Sequence, residues 1–155
     1  MPAKLQDLAH DGYTIIISSN QGRFTDLEGN ELPEAAVHKK KFGNIMRALQ
    51  ISSTILVGCA NDLHRKPRLG LWSMIPELTG NKDCDIDKAS SYIVGDAAGR
   101  EQDFSDSDLH WAMNAGIPFY TPEEFFLDKP RQARTHKFHP QWHLNVHEEV
   151  ECKGE

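Results

Sequence analysis

The chain has 155 residues, of which 39% are hydrophobic and 26% charged, and its mean hydropathy is −0.55. These values are typical of one globular domain, and they exclude fibrous, collagenous and wholly disordered chains. A formal charge of −6 disfavours nucleic-acid contact over the whole surface. A nucleic-acid partner would therefore need a local basic site.

The cysteine pattern and the absence of long apolar runs constrain the cellular location. Cys59, Cys84 and Cys152 are odd in number and far apart, which favours a reducing compartment over a disulfide framework. The first residues carry acids and no apolar run, and no stretch approaches the roughly 20 apolar residues of a membrane span. We therefore expect a cytosolic or nuclear protein without membrane contact.

Apolar spacing predicts helices and strands in alternation. Helices are predicted over residues 2–11, 33–50, around 71–78, and 108–115, the last ending at Gly116. Strands are predicted over 13–18, 54–57, 92–94 and 117–120, the first of them buried on both faces. The pattern is lost after Phe126, so we expect one domain over 1–127 and a partly docked tail over 128–155.

This alternation predicts an α/β fold with a doubly wound parallel sheet. Ligands of such sheets bind beyond the carboxyl ends of the strands. The polar residues that follow the predicted strands, at 19–21, 61–68 and 96–103, are therefore the candidate site.

Single residues in these loops offer phosphate and metal chemistry. The hydroxyl of Ser19 and the backbone N–H groups beside it can bind a phosphate oxygen, and Lys66 supplies a positive charge. Asp96 follows a strand and precedes two alanines and a glycine, so its carboxylate can approach Mg²⁺ with little obstruction. Taken singly, a serine at such a position is more often an ordinary turn residue, and a loop lysine is usually an ordinary surface residue.

Two further clusters allow more than one interpretation. Of Asp103, Asp106 and Asp108, one is a candidate second metal ligand, whereas another is a candidate cap of the helix near Asp108. In the tail, the histidines have spacings that suit a metal, but Pro140 interrupts any helix that would align them. Docking of the tail through its aromatic residues is the plainer interpretation. The tail residues in question are His136, His139, His143 and His147, with Phe138 and Trp142 between them. No P-loop pattern is present, so a kinase activity is not supported.

Ser19, Lys66 and Asp96 with a nearby aspartate, in that order, resemble the second, third and fourth motifs of haloacid dehalogenase-type phosphohydrolases. Longer stretches resemble the phosphatase domain of polynucleotide kinase 3′-phosphatases over about residues 4–144, and the last of them is most like fungal forms. These stretches are HDGYTIIISSNQGR, LHRKPRLGLW, SYIVGDAAGR, DFSDSDLHWAMNAGIPFYTPEEFF and THKFHPQWHL.

The resemblance implies a Rossmann-type haloacid dehalogenase fold and removal of 3′-phosphates from broken DNA ends, with Mg²⁺ and an aspartyl-phosphate intermediate. Ser19 would bind the phosphoryl group, Lys66 would stabilise its charge, and Asp96 would ligate Mg²⁺. Asp103 would be the second acidic ligand. The further candidates for binding phosphate or DNA are Asn20, Gln21, Arg23, Arg65 and Arg100. The expected partners are DNA 3′-phosphate ends at breaks or gaps and DNA-repair proteins, for a monomer in the nucleus.

The sequence departs from this family in one respect: it contains no DxDGT motif, which in the family supplies the nucleophilic aspartate and the general acid. Asp7 and Asp11 do not replace it, because they precede the first predicted strand, at the opposite end from Ser19. Without that carboxylate no covalent phosphoryl intermediate can form. We therefore expect the chain as given to be inactive.

In the family, the strand that bears this motif lies at the centre of the sheet, between the strands that end at Ser18 and Gly95. Its loss would leave two inner edges unpaired, and buried unpaired backbone groups are costly. The chain alone should then be unstable, aggregate or close the gap by rearranged pairing. We expect a truncated chain or gene model, with a degenerate pseudoenzyme as the alternative.

Three functional hypotheses follow. The first is a Mg²⁺-dependent polynucleotide 3′-phosphatase whose first strand is missing from the recorded sequence. The second is a non-catalytic module that binds DNA ends or a repair partner. The third is a phosphatase for a small metabolite, since a fold does not fix a substrate.

Overall fold

The structure is a computed structural model that describes residues 2–26, 28–80 and 86–133. Its elements follow in the order α1 (Pro2–His10), β1 (Ile15–Asn20), α2 (Pro33–Leu49), β2 (Ser53–Gly58), α3 (Gly70–Ser73), α4 (Ile75–Leu78), β3 (Ile93–Val94), α5 (Ser107–Ala115), β4 (Phe119–Tyr120) and α6 (Pro122–Leu127). The predicted mixed α/β architecture with parallel strands is confirmed. The tail histidines, Cys84 and Cys152 lie outside the described residues. Among the helices of the described part, none is long and apolar enough to cross a membrane.

The strands form two small parallel sheets. β1 pairs with β2 from Ile15 opposite Ser53 to Asn20 opposite Gly58, and β3 pairs with β4. The single doubly wound sheet that the sequence predicts is not confirmed, because no described strand joins β1 to β3. Rearranged pairing between β1 and β3 is likewise not found in the described residues.

β1 is less buried than its sequence predicts. Its run of isoleucines favours a strand covered on both faces, yet all six of its residues are half-exposed. The reason is the one-sided pairing: β1 contacts β2 along one edge and borders a large cavity along the other. In β2, none of whose residues lines that cavity, Leu56 and Gly58 are buried.

Two helical segments differ from the prediction. The helix expected around 71–78 is split into α3 and α4, because Pro76 has no N–H to donate to the carbonyl of Trp72 and its ring crowds that carbonyl. Helix α6 was not predicted. Its signal in the sequence is the capping box, in which the Thr121 hydroxyl accepts from the Glu124 N–H while the Glu124 carboxylate accepts from the Thr121 N–H.

The apolar core is centred on α5. Five of the nine residues of this helix are buried, and they face β3 and β4 on one side and α3 on the other. Trp111 joins the two parts of the core: it packs with Leu56 and Leu71 and meets Trp72 edge-on, with ring centroids 6.1 Å apart. Helix α5 thus links the β1–β2 sheet to the β3–β4 sheet.

The loop between β2 and α3 folds back tightly on the start of α3. The Gly70 N–H donates to the Leu63 carbonyl at 2.9 Å, and a Cβ on Gly70 would lie 2.4 Å from that carbonyl oxygen. Only glycine therefore allows this approach, which closes the loop that contains Lys66. Gly43, in the middle of α2, would meet nothing within 4 Å on gaining a Cβ.

Substituting these two glycines by alanine should change stability in opposite directions. Gly70→Ala forces backbone atoms apart and should lower the free energy of unfolding by about 1–3 kcal/mol. Gly43→Ala should raise it by about 0.5–1 kcal/mol, because alanine is the better helix former and its methyl group meets no obstacle. Urea unfolding monitored by circular dichroism measures both, and equal effects of the two substitutions would contradict this packing.

Candidate active site

A cavity of about 1410 Å³ lies between the two sheets. We call it the inter-sheet cavity. It is lined by residues 15–21 of β1 and its following loop and by residues 92–97 of β3 and its following loop. Its carboxyl end, where both strands stop, holds Ser19, Lys66 and Asp96. The structure therefore brings together the three residues that the sequence singled out.

The backbone of Lys66 is fixed by Asn20. The Asn20 side chain accepts from the Lys66 N–H at 3.0 Å and donates to the Lys66 carbonyl at 3.1 Å. Both functional groups of this amide are thereby occupied. Asn20, predicted to bind phosphate or DNA, is thus placed to position the lysine.

The ammonium group of Lys66 is buried and paired. Its Nζ donates to the Ser18 carbonyl at 2.9 Å and lies 2.8 Å from Oδ1 of Asp108. Only 9% of the lysine side chain and 10% of the aspartate side chain are exposed. An ammonium has three N–H groups, so one remains beyond these two contacts. Nζ also lies 5.5 Å from the centroid of the Trp111 ring.

Asp108 is held in place by the loop after β3. Its Oδ2 accepts from the Ala97 N–H at 3.2 Å, and a Cβ on Gly95 would lie 2.5 Å from that oxygen. Glycine at position 95 therefore leaves room for the carboxylate. Asp106 occupies the N-cap position of α5 and makes no side-chain cap hydrogen bond.

The hydroxyl of Ser19 is oriented by a neighbour. Gln21 Nε2 donates to Ser19 Oγ at 2.8 Å, and the Gln21 N–H donates to the Gly58 carbonyl at 2.8 Å. Since the oxygen accepts from Gln21, the Ser19 O–H remains able to donate. This is the polarity that an anionic phosphate oxygen needs. Gln21, itself predicted to bind phosphate or DNA, lines the cavity beside Ser19.

Asp96 is exposed at the mouth of the cavity. No residue in the described ranges donates to its carboxylate, whereas its main-chain carbonyl accepts from the Ala98 N–H at 3.0 Å. The backbone of Asp96 is thus held while its side chain is left unpaired.

Asp103 and Arg100 bind each other instead of lining the cavity. Arg100 Nε donates to both Asp103 oxygens at 3.0 and 2.9 Å, and its NH1 donates to Glu123 at 2.9 Å. The backbone N–H groups of Ala98 and Arg100 also donate to Asp103 Oδ2. The geometry therefore favours internal structural roles for Asp103, predicted as a metal ligand, and Arg100, predicted to contact DNA.

This network shifts the pKa values of its members. Burial raises the pKa of the Asp103 carboxyl, but the hydrogen bonds from Arg100 and from the backbone outweigh burial and hold the pKa below its usual value. Hydrogen bonding to Asp103 raises the pKa of Arg100. Both groups are therefore charged at neutral pH.

The two other predicted arginines differ in position. Arg65 is half-buried and lines the cavity, and its guanidinium has no hydrogen-bond or ion-pair partner in the parts of the chain that are described. Arg23 is exposed and does not line the cavity. Arg65 is therefore the better placed of the two to meet a phosphate at the site.

The sequence did not identify the partner of Lys66 or the role of Gly95. Forty-two positions separate Lys66 from Asp108, and no spacing rule links residues so far apart. Asp108 looked like a metal ligand or a helix cap, because a carboxylate in the first turn of a helix suits both roles. Glu123, which binds Arg100, belongs to the helix that was not predicted.

Asp96 is the carboxylate at this end of the cavity that could hold a metal ion. Within the described ranges no three histidine, cysteine, aspartate or glutamate side chains cluster as a metal cage. Mg²⁺ is commonly bound through one or two carboxylates and completes its shell with water and substrate phosphates. The unpaired carboxylate of Asp96 fits this mode.

The Asp103 network makes stability depend on pH. Because the pKa of Asp103 in the folded chain lies below its usual value of 3.8, the network stabilises the fold above that pH and is lost as the pH falls through the folded-state pKa. Asp103→Asn should lower the free energy of unfolding at pH 7 by roughly 3 kcal/mol, since it leaves the buried Arg100 without its main partner.

Chemical unfolding between pH 3 and pH 7 tests this prediction. The difference between the native chain and Asp103→Asn should be constant near neutrality and shrink below about pH 4. Glu101→Gln, at an exposed neighbouring position, serves as the control and should leave stability unchanged. A difference that persists unchanged at pH 3 would contradict the role of the charged carboxylate.

Comparison with known proteins assigns a family. The family model described as polynucleotide kinase 3 phosphatase matches residues 1–126. The polynucleotide 3′-phosphatase ZDP of Arabidopsis thaliana is 32% identical over 139 residues, which cover 82% of this chain and 20% of the relative. The bifunctional polynucleotide phosphatase/kinase of Schizosaccharomyces pombe is 36% identical over 129 residues, which cover 80% of this chain and 29% of the relative.

In a viral relative, the matched region covers a larger share of the protein. An uncharacterized 20.8 kDa protein of Autographa californica nuclear polyhedrosis virus is 37% identical over 129 residues, which cover 79% of this chain and 66% of that protein. The matched region thus spans between a fifth and two thirds of the length of these relatives. Since the family model covers most of the chain, the chain belongs to the polynucleotide kinase 3 phosphatase family.

Proposed function

We propose that the carboxyl end of the inter-sheet cavity binds the phosphate at the 3′ end of a DNA strand, together with Mg²⁺. The observation that carries this proposal is the meeting of Ser19, Lys66 and Asp96 at one end of one cavity. The names of the plant and fission-yeast relatives, which are polynucleotide phosphatases, support a polynucleotide end as the ligand.

Each of the three residues has one free function for this ligand. The Ser19 hydroxyl donates to a phosphate oxygen while Gln21 holds its oxygen. The remaining N–H of Lys66 donates to another phosphate oxygen, and a charge-assisted hydrogen bond of this kind is stronger than a neutral one. Asp96 holds Mg²⁺, which when bound neutralises phosphate charge and polarises the phosphoryl oxygens.

Arg65 would add a contact to the DNA beyond the terminal phosphate. Its unpaired guanidinium lines the cavity beside Lys66, where it can contact the next backbone phosphate. The chain as a whole has a charge of −6, so the attraction is local. Binding should therefore be confined to strand ends. This specificity would suit the repair of DNA breaks in the nucleus, where a monomer of this chain would have DNA-repair proteins as further partners.

Hydrolysis through a covalent intermediate needs a carboxylate that can attack the phosphorus, and the carboxylates at this site already have other roles. Asp108 is committed to Lys66 and Ala97, and Asp96 is committed to the metal. The sequence has no DxDGT motif to supply a nucleophile. We therefore infer that the 155-residue chain binds a 3′-phosphorylated end without releasing phosphate, and that catalysis requires a further carboxylate at this site.

Fluorescence anisotropy with labelled DNA oligonucleotides tests the proposal. In Mg²⁺, an oligonucleotide with a 3′-phosphate should bind about 10 to 100 times more tightly than the same strand with a 3′-hydroxyl, since one or two charge-assisted hydrogen bonds distinguish them. Asp96→Asn should abolish the effect of Mg²⁺ on this ratio. Glu101→Gln, outside the cavity, is the matched control and should behave like the native chain.

Three outcomes would contradict the proposal. Equal affinity for the two strands would show that the site does not recognise the 3′-phosphate. Competition by a small phosphate monoester as strong as that by the 3′-phosphorylated strand would make the ligand a metabolite. Release of phosphate by the 155-residue chain, lost in Asp96→Asn, would show that a carboxylate of this chain attacks.

A further inference from the structure

We infer that one face of α2 is a second contact surface for DNA, which binds backbone phosphates of the strand whose 3′ end lies in the cavity. We call this surface the α2 strip and define it by Lys40, Lys41 and Arg47. The inference rests on the proposed function, because it extends the ligand of that site along the outside of the domain.

Helix α2 is basic, although the chain as a whole is acidic. Its 17 residues include four lysines and arginines against one acid, Glu34, so its net charge is +3 with His38 counted as neutral. The whole chain carries −6. One of the four cations, Lys39, is paired with Glu31 in the preceding loop. A local basic surface of this kind attracts a polyanion that the rest of the molecule repels.

The three cations of the α2 strip are exposed and have no acidic partner in the described residues. Arg47 contacts only the side-chain oxygen of Asn44, which is uncharged. Lys40 and Arg47 are seven residues apart and therefore lie on one face of the helix, about 10 Å apart along its axis. Lys41 lies beside Lys40. The strip thus presents three positive charges over two turns of helix.

Helix α2 begins at the edge of the sheet that holds the phosphate site. β1 and β2 are parallel neighbours, so the helix that connects them must return from the carboxyl end of β1 to the amino end of β2. Its first residue, Pro33, is therefore at the carboxyl edge, and the strip follows farther along the helix. A DNA strand that ends at the site can run along this face.

The loop between β1 and α2 joins the cavity to the strip. On the cavity side, a Cβ on Gly22 would lie 3.6 Å from a guanidinium nitrogen of Arg65. On the helix side, the buried Phe24 stacks on His38 with ring centroids 6.1 Å apart, one turn before the strip. Arg23 is exposed between these two contacts. A series of cations therefore leads from the cavity to α2.

The apolar residues of α2 favour DNA over an anionic membrane as the partner. A helix that binds a membrane surface buries large apolar side chains in the lipid. In α2, which the structure describes in full, Phe42, Ile45 and Met46 are half-buried against the domain, and Val37 is the one large apolar side chain that is exposed. The exposed face thus offers mainly positive charge, which suits phosphates.

Fluorescence anisotropy with the 155-residue chain in Mg²⁺ tests the inference on two 3′-phosphorylated strands. They have about three and about twelve nucleotides, and only the longer one can reach the strip. The triple variant Lys40→Gln, Lys41→Gln and Arg47→Gln should bind the longer strand about tenfold more weakly and the shorter strand unchanged. The slope of log affinity against log salt for the longer strand should become shallower by about 2, since each phosphate contact contributes about 0.7.

A matched control removes the same charge elsewhere. The triple variant Lys88→Gln, Lys129→Gln and Arg131→Gln changes three exposed cations outside α2 and should behave like the native chain. Equal weakening by this control would reduce the effect to net charge and would overturn the inference. Competition by vesicles with about 30% phosphatidylserine, as strong as that by the longer strand, would overturn it in favour of a membrane.

The inference and the proposed function fail in different ways. If the α2-strip variant binds the longer strand as tightly as the native chain does, while both prefer a 3′-phosphate to a 3′-hydroxyl, the inference alone is wrong. If the native chain does not distinguish the two strand ends, the proposed function is wrong.

Discussion

The buried ion pair between Lys66 and Asp108 is the constraint on which the rest of the site depends. It joins the loop after β2 to the first turn of α5, and through Ser18 and Ala97 it holds the carboxyl ends of β1 and β3 together. A buried charge that loses its partner is strongly destabilising. The two glycines beside the pair follow from it: Gly95 makes room for Asp108, and Gly70 closes the loop that carries Lys66.

The proposed ligand site lies at one end of the inter-sheet cavity. There the side chains of Ser19, Lys66 and Asp96 carry a hydroxyl, an ammonium and a carboxylate, and the proposed binding of phosphate and Mg²⁺ rests on these three groups.

Local sequence patterns predicted most elements and singled out three residues that line the cavity, Ser19, Lys66 and Asp96, because apolar spacing and strand-end polarity are local properties. Partnerships between distant residues could not be predicted in this way. Lys66 and Asp108 meet only after α5 has packed, and Arg100 gains Glu123 as a second partner besides Asp103 only because α6 packs beside it. The expected single sheet is not confirmed for a related reason: whether β1 and β3 belong to one sheet depends on what lies between them, and the residues of the two strands do not determine that.

A double-mutant cycle on Lys66 and Asp108 tests the central claim most directly. Free energies of unfolding are measured for the native chain, Lys66→Met, Asp108→Asn and the double variant. The account predicts that each single substitution costs about 3–5 kcal/mol and that the double variant loses clearly less than both losses combined, because neither charge is then left alone. Additive losses would contradict it, since they would mean that the pair does not hold the two strand ends together.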